Sequence, residues 1–148
     1  MEYIVSQLTE VIRFNLLGTH YMMKMWSLAM VLGVVTYLQT AILTGSVPMN
    51  SMQRKFKWIF GLVVISPIFE EIVFRMILIS ALYGVFGEWL PAIIISAIMF
   101  GGAHIFYGKT RFIDSTITGL VLGWAFVNFG IFVPILAHAT HNTLATIR

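Results

Sequence analysis

Two adjacent glutamates, Glu70 and Glu71, stand inside an apolar run from Trp58 to Leu82 that is otherwise long enough to cross a bilayer. An ionised side chain at the bilayer centre costs at least about 2.5–3.5 kcal/mol on insertion scales. Neighbouring acids also repel each other. Such residues are kept there only if something compensates. Charge at membrane depth therefore marks a functional site.

The rest of the chain agrees with a membrane setting. Of its 148 residues, 59% are hydrophobic and 10% charged, with a mean hydropathy of +0.91. That balance excludes an ordinary soluble domain and predicts an all-α, polytopic bundle of about four or five transmembrane helices. The net charge is +3, and the basic residues gather at the ends of apolar runs. This suits membrane topology and excludes a nucleic-acid partner. Without cysteine, disulfides, thiolate metal sites and cysteine nucleophiles are excluded. Glu2, Glu10, Arg13 and Lys24 break the order of a cleavable signal peptide.

Hydropathy and turn residues divide the chain. Residues 1–24 read as an N-terminal amphipathic or interfacial segment, and 25–148 as the transmembrane helical domain. The expected spans are Met25–Val47, Trp58–Phe86, Leu90–Tyr107 and Phe112–Phe129, with a last short helix from Ile131 or Pro134 to Ile147. Val47–Lys57 reads as a polar loop. Pro67 is expected to kink or restart the second span. Pro91 suits the first turn of the third, and Gly130 ends the fourth. Placing Arg54, Lys55 and Lys57 in the cytoplasm also puts Lys109, Arg111 and Arg148 there, against Arg13 and Lys24 outside.

The polar residues at membrane depth form a constellation. Glu71 and Arg75 are spaced i, i+4, as in an internal ion pair. Glu70 points about 100° away from Glu71 and has no basic partner on its own helix, which leaves His104 as its expected partner. A carboxylate in a low-dielectric cavity suits a general base. His138 and Asn142 share a face and can donate two hydrogen bonds to one oxyanion. Each feature has a plainer reading: a helix-start acid, a structural ion pair, a core histidine, interhelical hydrogen bonds. Glu70, His104, His138 and His141 also suit a divalent metal such as zinc. The residues leave open whether the site uses such a metal or none.

Three motifs occur in order: Glu-Glu-x-x-x-Arg (Glu70, Glu71, Arg75), Phe-x-x-x-His (Phe100, His104) and His-x-x-x-Asn (His138, Asn142). With Ser-Pro-Ile-Phe before the glutamates, Gly119-Leu-Val-Leu-Gly-Trp124 and Pro134-Ile-Leu-Ala-His138, they make the chain resemble the CPBP intramembrane proteases. That family groups type II CAAX prenyl endopeptidases with bacteriocin-processing and self-immunity proteins. The resemblance covers a protease-like core over 58–148. It implies peptide-bond hydrolysis in a membrane cavity, by a metallo- or glutamate-type mechanism. Glu70 and His104 would activate water, His138 and Asn142 would stabilise the oxyanion, and Glu71 and Arg75 would orient the site. Met76 and His141 depart from the usual pattern, and the chain is short for the family, so a second copy or a helper subunit is an expected partner.

The expected function is thus an intramembrane endopeptidase acting on a membrane-associated peptide or protein, in a multi-pass protein of the bacterial cytoplasmic membrane in contact with its lipid. Two alternatives come from other classes: a non-catalytic bacteriocin self-immunity or scaffold protein, and a small metal-binding transporter.

Overall fold

The computed structural model describes residues 2–44 and 59–147, with side chains over 20–44 and 59–146. The expected loop with Arg54, Lys55 and Lys57, and the terminal Arg148, lie outside the described residues. So do the side chains that would make residues 1–19 amphipathic.

Five helices make an all-α bundle: α1 Glu2–Thr44, α2 over 59–86, α3 Trp89–Ala103, α4 Lys109–Phe129 and α5 Phe132–Ile147. No strand occurs among the described residues. The N-terminal segment and the first expected span form one helix of 43 residues without a break at Lys24. At 1.5 Å per residue it runs about 65 Å, twice the hydrocarbon thickness. Its stretch His20–Thr44 and α4 are the two described helices long and apolar enough to cross a membrane. Helix α3 is apolar but has only 15 residues.

Helix α2 carries the glutamates and is unusual in its winding. Wide π turns, Gly61–Ile65 and Ile72–Ile79, flank a regular α segment, Ser66–Glu71. Pro67 has no N–H to give to the carbonyl one turn back, so the wide register ends at Ser66 and regular winding restarts there. Helix α2 stops at Gly87, whose φ of 71° is left-handed and whose N–H reaches Tyr83 O at 2.8 Å.

The third expected span is shortened. It ends at Ala103 and passes into a 3₁₀ turn, Ile105–Tyr107, so His104 caps a helix instead of lying within one. The cause is local competition for one carbonyl. Phe100 O takes the His104 ring Nδ1 at 2.9 Å, while the His104 backbone N–H turns to Gly101 O at 2.9 Å.

The bundle buries polar groups among its apolar core residues and exposes large apolar side chains. Thr36, Glu71, Arg75, Ser96, Asp114, Thr118 and His138 are buried, while Ile42, Val85, Phe106 and Phe132 are each more than 75% exposed. Water would penalise that surface, whereas lipid tails do not. Small residues bring the helices close, as expected where no hydrophobic effect drives them together. A Cβ on Gly119 would sit 3.0 Å from Ala97 Cα, and one on Gly33 2.5 Å from Thr140 Cβ and 2.6 Å from Ala137 O. The first contact joins α3 to α4, and the second joins α1 to α5.

Gly33→Val is expected to force α1 from α5, lowering stability by about 1–3 kcal/mol. Thermal unfolding in detergent checks this. Gly102→Ala, which meets no atom within 4 Å, is expected to melt no lower than the wild type.

Candidate active site

The expected ion pair is present and fully buried. Arg75 Nε lies 3.0 Å from Glu71 Oε2, and neither side chain has any exposure. The approach is close but off the N–H direction, since neither atom meets a hydrogen-bond partner among the described residues. The guanidinium instead lies over the Phe100 ring, 4.4 Å from its centroid. Phe100 is therefore a wall of the charge site as well as a motif residue.

The other Glu71 oxygen is committed. His138 Nδ1–H donates to Glu71 Oε1 at 2.8 Å; an ionised carboxylate only accepts, so the proton is on the ring nitrogen. This sets the ring orientation and leaves Nε2 as the functional face of His138. Nε2 lies 3.9 Å from Glu70 Oε2. Glu70 takes a hydrogen bond from Ser66 Oγ to its Oε1, and its Oε2 has no hydrogen-bond partner among the described residues. One imidazole thus stands between two carboxylates.

A half-open cavity of ≈ 90 Å³, room for a few waters, adjoins this cluster. Among its walls are Phe100, His104, His138, His141 and Asn142. Glu70, Glu71 and Arg75 stand behind His138 and do not line it. His104 Nδ1–H is committed to Phe100 O, so its Nε2 keeps a lone pair. Asn142 Nδ2 donates to Leu62 O at 2.8 Å, on the first wide turn of α2. One of its two N–H groups is therefore used and the other remains.

Several expected contacts differ. No hydrogen bond joins Glu70 to His104; His138 and Ser66 are the partners of Glu70. The reason is the early end of α3, which turns the His104 ring back on its own helix. The four side chains weighed as metal ligands, Glu70, His104, His138 and His141, do not converge. Among the described residues no group of three or more histidines or acids is placed to hold a metal. The donor set does not fit the ion.

Sequence reasoning overlooked Asp114. It is 3% exposed and accepts from Thr40 Oγ1 at 2.8 Å and Gln39 Nε2 at 3.0 Å, with Arg111 Nη1 at 3.6 Å. Asp114 and Arg111 both reach the cavity. The rule that singled out Glu70 applies equally to an acid near the start of the fourth span. Its i, i+3 spacing from Arg111 makes it resemble an ordinary helix-end ion pair. Ser66, which holds Glu70, stands in the sequence only as part of the Ser-Pro-Ile-Phe flank.

Removing the guanidinium leaves Glu71 buried with half its compensation. Arg75→Met is expected to cost about 3–5 kcal/mol of stability, visible as a lower melting temperature in detergent. An unchanged melting temperature would show that Glu71 is neutral in the fold.

A protein-family model described as type II CAAX prenyl endopeptidase, Rce1-like, matches residues 52–144. Those residues include all three motifs and both walls of the charge cluster. No curated protein and no solved structure matches the chain.

Proposed function

Since the chain belongs to the Rce1-like family of type II CAAX prenyl endopeptidases, we propose that it cleaves a peptide bond of a membrane-associated peptide or protein, inside the bundle, as a multi-pass protein of a bacterial cytoplasmic membrane. The observation that carries this reading is the Glu70–His138–Glu71 arrangement, with Glu71 and His138 buried, beside a cavity in a protein whose exterior is apolar.

Hydrolysis needs a base for water and donors for the oxyanion. Glu70 Oε2, lacking a partner, is the acceptor for the water proton. His104 Nε2, on the cavity wall, offers a water there a second acceptor. Attack on the carbonyl carbon puts negative charge on the carbonyl oxygen. His138 Nε2, when it carries a proton, and the second Asn142 N–H are the donors that meet it. Glu71 holds His138 in place through Nδ1, and Arg75 offsets the charge of Glu71. Proton return from Glu70 to the leaving amine completes the cycle. With Glu70 as base and no metal in the steps, the proposed mechanism is of the glutamate type.

Glu70→Gln keeps the size and the Ser66 contact but removes the base. Expressed at matched membrane levels, the wild type is expected to generate new peptide termini that are absent with Glu70→Gln, a loss of at least about 100-fold. Termini that persist in Glu70→Gln would refute the assignment of the base. Identical termini with and without the protein would point to a binding role for the fold.

A further inference from the structure

Helix α1 lies outside the family match, yet it holds two of the polar groups that line the cavity. Thr36, Gln39 and Thr40 share one helix face through their i, i+3, i+4 spacing. Gln39 and Thr40 donate to Asp114. Thr36, which is fully buried, meets His141 Nδ1 at 3.1 Å.

Three acceptors stand around the one Thr36 hydroxyl hydrogen: Leu32 O, Gly33 O and His141 Nδ1. The Thr36 hydroxyl has one hydrogen. It is directed back along α1 to Leu32 O at 3.0 Å and Gly33 O at 3.1 Å, both of which can only accept. With that hydrogen on either carbonyl, the Thr36 oxygen accepts and His141 Nδ1–H donates, the arrangement on which the proposal below is built. A neutral ring protonated at Nδ1 has its lone pair on Nε2. Tyr37 packs edge-on against the same ring, 6.3 Å between centroids. His141 is thus an oriented acceptor in a cavity where His138 and Asn142 offer donors.

A peptide entering this cavity presents N–H groups as well as carbonyls. An N–H without an acceptor is costly where water is scarce. The His138 and His141 rings are 6.5 Å apart between centroids. One extended dipeptide, about 7 Å long, spans that distance. We propose that His141 Nε2 accepts a backbone N–H of the bound peptide, next to the carbonyl held by His138 and Asn142, with Thr36 of α1 as the positioning residue. This rests on the endopeptidase reading above. It gives α1 a part in substrate binding, by a contact that any peptide sequence can make.

The test uses the full chain in lipid nanodiscs and the peptide spanning the cut site mapped in wild-type membranes, N-methylated at one amide at a time. Methylation of one amide beside the cut is expected to slow the wild type about tenfold, the worth of one hydrogen bond. His141→Leu is expected to cleave the unmethylated peptide about tenfold more slowly, mainly through KM, and to lose its sensitivity to that methyl group. Thr36→Val is expected to act in the same direction, and Thr36→Ser to restore the wild-type pattern. His141→Leu that still discriminates against the methylated peptide overturns the proposal, as does wild-type cleavage by that variant. Glu70→Gln run alongside separates the two claims: cleavage by it refutes the endopeptidase reading itself. A readout without substrate is the ¹⁵N NMR spectrum of the histidine side chains. It should place the His141 proton on Nδ1, and a proton on Nε2 alone overturns the proposal.

Discussion

The hydrogen bond from His138 Nδ1 to the Glu71 carboxylate organises the site. Glu71 has no exposure and His138 almost none, so the contact is made in a medium where unpaired charge is expensive. Neither partner can leave without exposing the other to that cost. Because Nδ1 is committed, Nε2 is turned toward Glu70 and the cavity. Arg75 offsets the charge of Glu71 and is itself held over Phe100, so the α3 aromatic that walls the cavity also braces the ion pair. The chemistry offered to a peptide is thus set by contacts made behind the cavity.

The helices are shaped to deliver that contact. Helix α2 winds in wide turns on both sides of Ser66–Glu71. The first wide turn leaves Leu62 O for Asn142, which ties α5 to α2 four residues beyond His138. Helix α5 can lie close to α1 because Gly33 removes the side chain that would meet Thr140. The same approach brings Thr36 to His141. On the opposite side, Gly119 sits against Ala97, closing α4 on α3 and placing Asp114 and His104 on a common cavity. Glycines with no catalytic chemistry of their own thereby set the distances between groups that have it.

The sequence alone made the helices, the glutamates and their importance legible, because an acid in an apolar run has few explanations. The Glu71–Arg75 pair followed from i, i+4 spacing on one helix. What could not be read were contacts between helices. Glu70 was matched to His104 because both were unassigned. The partition depended on α3 ending at Ala103, which in turn depended on the His104 ring taking the Phe100 carbonyl. The seating of His138 between two carboxylates requires the relative position of α2 and α5, which hydropathy does not encode. Asp114 was visible by the same rule as Glu70, but its proximity to Arg111 gave it an ordinary appearance. Its real partners, Gln39 and Thr40, lie on α1, more than seventy residues away in the chain.

The central claim is that this buried carboxylate–histidine cluster directs water at a peptide bond. The most direct measurement is to incubate membranes containing the protein in H₂¹⁸O and to sequence the new C-termini by mass spectrometry. If Glu70 activates water, each new C-terminal carboxyl carries one ¹⁸O in the wild type, and none appears with Glu70→Gln. New C-termini without label, or no new C-termini at all, would contradict the account.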